Sequence, residues 1–75
     1  MPYYIAGRSS TQDETLSHSE YVSAGNPRAA VRVAKRLLSF ARRHSALGAR
    51  WDTWWVASSK NIDGKFLVIA QGRES

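Results

Sequence analysis

Apolar residues recur along this chain with changing rhythm, and each change marks an element. Tyr3 to Arg8 is short, aromatic and β-favouring, which predicts a first strand. Ser9 to Ser17 is polar and without period, a loop. Alternation returns at Glu20, Tyr21, Val22 and Ser23 and predicts a second short strand. From Pro27 to about Ser45 the apolar positions follow a helical period. Arg50 to Ser58, with Trp51, Trp54, Trp55 and Val56, reads as a third strand, and Lys65 to Gln71 as a fourth. Gly72 to Ser75 is a tail.

Local chemistry sets the boundaries. Asn26 can accept a hydrogen bond from an orphan amide of the first helical turn, and Pro27 stands where its missing N–H costs nothing. Gly48 is placed as a left-handed helix stop. Asn61-Ile62-Asp63-Gly64 supplies turn chemistry between the last two strands. The order β-β-α-β-β predicts an α+β fold, with a single helix packed on a mainly antiparallel four-stranded sheet. Residues 1–75 are read as one domain.

On a helical wheel Ala30, Val33, Ala34, Leu37, Leu38 and Ala41 gather on one side, flanked by Val31 and Phe40. This is the face expected to dock on the sheet. Arg28, Arg32, Lys35, Arg36 and Arg43 fall opposite, with Arg42 at the margin, and the span holds no acid. Isolated helix stability would not select this pattern. Like charges at i,i+4, such as Arg28 with Arg32 and Arg32 with Arg36, repel, and Arg28 lies near the positive end of the helix dipole. A merely solvated face usually mixes signs, so the absence of acids favours a binding surface for an anionic partner. Arg28, Arg32, Lys35, Arg36, Arg42 and Arg43 are the expected partner-binding residues.

Alternation along the third strand predicts Trp51 and Trp55 on one face, Trp54 and Val56 on the other. In the fourth, Phe66, Val68 and Ala70 are predicted to oppose Leu67 and Ile69. A single helix covers one face only. The remaining aromatics can enlarge a small core, pair two copies across a dyad, or stack bases on an open sheet. Stacking would want cations beside the aromatics, and only Arg50 is well placed; a homodimer is the favoured expectation.

Charge sharpens the picture. The chain carries 11 Lys and Arg against 6 Asp and Glu, a net +5 on 75 residues, which favours anionic partners. A domain this small buries only about 60 % of the surface of its unfolded chain, yet 43 % hydrophobic residues suffice for one core. There is no cysteine, so disulfides, thiolate metal sites and thiol nucleophiles are excluded. No signal-peptide pattern and no run approaching the ~20 apolar residues of a membrane helix is present, so the expected location is the cytoplasm, away from membranes.

Catalytic chemistry finds no constellation. His18 and His44 lack ligand spacing, and the acids Asp13, Glu14, Glu20, Asp52, Asp63 and Glu74 are scattered. No serine sits in a nucleophile elbow, and the glycines stand singly rather than in a phosphate loop. No catalytic, cofactor-binding or metal-binding residue is assigned, and the expectation is a protein that is not an enzyme.

The assembled parts resemble the compact type I anti-CRISPR proteins encoded by phages and mobile elements. The resemblance is carried by an opening strand Tyr3-Tyr4-Ile5-Ala6, a second strand Glu20-Tyr21-Val22-Ser23-Ala24, the basic helix from Pro27 to Arg36, and hairpin strands Trp54-Trp55-Val56-Ala57 and Phe66-Leu67-Val68-Ile69. It covers nearly the whole chain and is one of architecture, without a diagnostic motif. It implies a stoichiometric inhibitor that binds a type I CRISPR surveillance complex in the cytoplasm of a bacterial host and stops target DNA binding. Many such inhibitors are acidic and imitate DNA. This chain is basic, and so is expected to grip acidic patches of the protein subunits, the guide RNA or the target DNA. The opening also looks like the partial RNase H-like domain of HicB-type antitoxins. A small basic nucleic-acid-binding or antitoxin-like regulatory module is the alternative.

Overall fold

Two β-hairpins and the helix between them are joined through one strand pairing. The computed structural model describes residues 2–62 and 65–74. It comprises β1 (Tyr3–Ser9), β2 (Ser17–Ser23), α1 (Pro27–His44), one 3-10 turn (Gly48–Arg50), β3 (Thr53–Ile62) and β4 (Lys65–Arg73). The strands form one antiparallel sheet in the order β2-β1-β3-β4. Since β2 and β3 both run antiparallel to β1, they are parallel to each other, and α1 is the crossover that parallel strands need. This is the α+β architecture that the pattern predicts, one helix on a four-stranded antiparallel sheet.

The helix starts as its sequence dictates. Asn26 Oδ1 accepts from the Ala29 amide at 2.8 Å and Pro27 occupies the first turn. Its buried positions Ala30, Ala34, Leu38 and Ala41 form a stripe of mostly small side chains. Small residues let the helix approach β1 and β3 closely, and the indoles of Trp51 and Trp54 fill the space beside them with Ala6, Ala24 and Val56.

The end of the helix differs from expectation. Ser45 closes it in extended conformation, its amide donating to the Ala41 carbonyl at 2.9 Å. Gly48 is not a left-handed stop. It opens the 3-10 turn and is buried against the helix, where an added Cβ would fall 2.2 Å from the Arg42 carbonyl oxygen. The position needs glycine for close approach rather than for its dihedral freedom.

Strand boundaries also move. β2 begins at Ser17 because the polar residues Ser17 to Ser19 pair with Gly7 to Ser9 of β1. β3 begins only at Thr53 and runs on through Asn61 and Ile62, where a turn was predicted, while Asp63 and Gly64 lie outside the described residues. β4 reaches Arg73, two residues beyond the predicted end. Trp51 therefore precedes the strand, so strand alternation does not apply to it. It packs in the helix-side core with Trp54 and Val56, not on the face of Trp55.

In β4 the register passes from Val56↔Ala70 to Ala57↔Val68 and skips Ile69. Val56 and Ala57 point to opposite faces, so their partners Ala70 and Val68 do too. The bulge thus breaks the predicted sharing of one face by Val68 and Ala70.

Two tryptophans lie flat over glycines of neighbouring strands. Trp55 faces Gly7 across the β1–β3 pair, on the side away from the helix, and a Cβ on Gly7 would meet its ring at 1.9 Å. Trp54 faces Gly72 on the edge strand β4, where a Cβ would lie 2.7 Å from its ring. Each indole covers a stretch of backbone that glycine leaves bare, and at Gly72 this is a device that secures edge glycines. On the open face Tyr21, Ile5, Ala57 and Val68 align across the four strands. The middle two of that row are buried although, among the described residues, no further element covers them.

Candidate interaction surface

The outward side of α1 is the most distinctive surface of the molecule. It carries Arg28, Arg32, Lys35, Arg36 and Arg43 in exposed positions, and the first turn contains no acid. Among the described residues the two ion pairs are Arg8–Glu20 at 4.0 Å and Arg50–Asp13 at 3.8 Å, and neither includes a helix cation.

The six predicted contact residues separate by what they touch. Arg42 is half-buried and donates from Nη1 to the Trp51 carbonyl, tying the helix end to the segment ahead of β3. It belongs to the framework. Lys35 is exposed, but its ammonium sits 5.4 Å from the Trp54 ring centroid, in the geometry of a cation–π contact. Arg43 reaches Ser39 Oγ at a long 3.4 Å. Arg28, Arg32, Arg36 and Arg43 remain as the outward charges. From Arg28 to Arg43 they span about 22 Å along the axis, at 1.5 Å per residue.

Phe40 joins this surface although the sequence pattern placed it beside the docking face. Its side chain is 61 % exposed and its ring rests on His44, with centroids 4.5 Å apart. Arg36 lies four residues before it and Arg43 three after, so the three share one side of the helix. The wheel held the signal: Phe40 is a third of a turn from Ala34, the centre of the buried stripe.

A second cluster of charge sits at the opposite extreme of partnering. Asp52 is only 5 % exposed. Its carboxylate accepts from the Thr11 amide at 3.0 Å, from the Thr11 hydroxyl, and from the Thr53 hydroxyl at 2.8 Å. Arg73 approaches through Thr11 Oγ1 at 3.3 Å. The Thr11 hydroxyl is the main cause holding the Asp52 carboxyl below its ordinary value; the Thr11 amide, Thr53 and Arg73 assist, against partial desolvation. The Asp52 main chain is equally engaged, donating to Ser9 and accepting from Glu74.

The adjoining loop is knotted by similar bonds. Ser10 Oγ accepts from the Gln12 and Asp13 amides, and Asp13 Oδ1 accepts from the Thr15 hydroxyl and amide. The Thr15 hydroxyl, then its amide, and Arg50 hold the Asp13 carboxyl below its ordinary value. An open cleft of about 580 Å³ lies beside this cluster, lined by Gln12, Arg42, Ala49, Asp52, Arg73 and Glu74. Its charges are mixed in sign, and Asp52 and Arg42 are already committed to other partners. Among the described residues no three His, Asp or Glu side chains gather as metal ligands, and no helix is long and apolar enough to cross a membrane.

Compared with protein-family models, with curated proteins and with solved structures, the chain matches none.

Proposed function

We propose that this chain is a non-catalytic binding protein that grips an anionic partner through the outward face of α1. Arg28, Arg32, Arg36 and Arg43 supply the charge, and Phe40 an apolar contact among them. One observation carries the reading: a helix face of cations with no acid among them and no ion pair to the rest of the described protein. Such a face lowers the stability of the isolated helix, so its use lies outside the fold.

Within that reading, the partner implied by the resemblance of element order is a type I CRISPR surveillance complex. The chain would occupy an acidic patch of its protein subunits, the guide RNA or the target DNA, in the cytoplasm of the bacterial host, and keep target DNA from binding. The test is co-purification of the chain with such a complex, together with a target-binding assay. The wild type should co-purify and suppress target binding, and the Arg32→Glu/Arg36→Glu variant should do neither. A wild-type chain that leaves target binding untouched removes this form of the proposal.

One feature favours a second reading, a nucleic-acid-binding regulatory module. All four outward charges are arginines, whose planar fork suits phosphate. Binding to duplex or single-stranded nucleic acid through four phosphates should fall with salt at a slope of about −3 to −4, or roughly 100-fold between 50 and 200 mM. A mobility-shift series in salt decides between them. Steep binding that Arg32→Glu/Arg36→Glu abolishes establishes the module, and absence of binding at low salt leaves the protein surface as target.

A further inference from the structure

The two edges of the sheet differ in kind. β2 presents Ser17, His18, Ser19, Glu20 and Ser23, with Tyr21 as its one exposed large apolar side chain, and Glu20 pairs with Arg8, a mostly polar and charged character that keeps a free edge from pairing. β4 presents Phe66, Leu67, Val68 and Ile69 in succession, exposed by 49, 56, 47 and 41 %. Four consecutive residues of a strand face both sides of the sheet, so this edge is apolar above and below. The cause lies in the layout. The helix is seated over the two central strands, leaving β4 outside its cover, and among the described residues no element lies on the other face.

We infer that β4 is the seat of a second copy of this chain, paired edge to edge and antiparallel into an eight-stranded sheet. Only an added strand contacts both faces of an edge at once, because its own side chains alternate above and below. The open face is the weaker candidate. Its floor, Ile5 and Ala57, is already buried beneath the molecule's own side chains, and Trp55 covers Gly7.

Charge points to the same edge. Between Lys65 and Arg73 the strand holds no charged residue, so two molecules of net charge +5 can meet over this run with cations only at its ends. Area sets the strength. At ~150–250 Å² for a large apolar side chain, the four half-exposed residues offer roughly 300–500 Å² per copy. A standard interface takes about 800 Å² per partner. The main-chain edge and its flanks supply part of the remainder, and the pair belongs at the weak, concentration-dependent end.

A dyad normal to the sheet keeps each face continuous with its counterpart. Both α1 helices therefore lie on one side, and two basic ridges face the same way. That last consequence bears on the proposed function, whereas the pairing itself does not depend on it.

Sedimentation equilibrium of the full chain over a wide concentration range tests the pairing. The wild type should rise from one chain mass towards two. Leu67→Lys should stay at one, and Ser19→Lys on the opposite edge should follow the wild type. Since the chain has no cysteine, Leu67→Cys and Ser19→Cys each give a single labelling site. A short bis-maleimide should join the first into dimers and leave the second single, which also covers the case of a Leu67→Lys chain that fails to fold. A single chain mass at every concentration, association abolished by Ser19→Lys instead, or equal cross-linking at both edges would overturn the inference. No anionic partner enters these measurements, so their failure is distinct from failure of the proposed function.

Discussion

The helix ridge and the Asp52 cluster are both charged, but they dispose of charge in opposite ways. At Asp52 each carboxylate oxygen meets donors, Arg73 approaches, and the main chain is bonded on both sides. On the ridge, four guanidinium groups face outward without an acid. Partnered charge here fastens a loop to the sheet. Unpartnered charge adds repulsion to the helix and stands exposed on its outward side. Lys35 and Arg42 show that the division runs through the helix itself, since both are cations of α1 that the fold already uses.

Substitutions can break this contrast. The largest stability effect is expected at Arg42: Arg42→Ala strips the Trp51 carbonyl of its donor and should cost about 1–3 kcal/mol, read by urea unfolding, whereas Arg36→Ala stays within about 0.5 kcal/mol of the wild type. Arg28→Glu should go the other way. It removes a like-charge neighbour of Arg32 and places an acid at the helix N-terminus, raising stability by about 0.5–1 kcal/mol while weakening anionic-partner binding. A loss of stability there would show that the ridge serves the fold after all.

A pH series sharpens the other side. The Asp52 and Asp13 carboxyls are held below their ordinary values in the folded chain. Their contribution is therefore complete above the unfolded carboxylate value of ~4 and is lost as pH falls through the depressed folded values. Asp52→Asn should lower stability at neutral pH and flatten the acid limb of the profile. An acid limb as steep as that of the wild type would remove Asp52 from this role. The smallest loss from a contact within the fold is expected at Lys35, where Lys35→Ala forfeits the contact with Trp54 at about 0.5–1 kcal/mol, measurable as a shift in thermal unfolding.

What the sequence disclosed follows the reach of each signal. The helix start was legible because Asn26 caps an amide three residues away and Pro27 acts on its own backbone. The ridge was legible because a wheel needs only periodicity. Gly48, Trp51 and β4 escape the pattern for a shared reason: their conformations depend on contacts between elements or on where pairing begins. Gly48 answers to the Arg42 carbonyl, Trp51 to a strand that starts two residues later, and the faces of β4 to a bulge opposite Val56 and Ala57. Arg42 lay at the margin of the wheel, where the same angle serves solvent or framework, and only the nearby Trp51 carbonyl decides. The Gly7–Trp55 and Gly72–Trp54 pairs need the sheet register, which hydrophobic alternation does not supply.

Asp52 also ties opposite ends of the chain to one residue. Its carboxylate holds the Thr11 amide from the first loop, and its carbonyl holds the Glu74 amide from the tail. Fraying of the last strand and opening of the first loop thus share a common latch. The amide hydrogens of Thr11 and Glu74 should exchange with deuterated solvent at coupled rates, released together whenever that latch lets go.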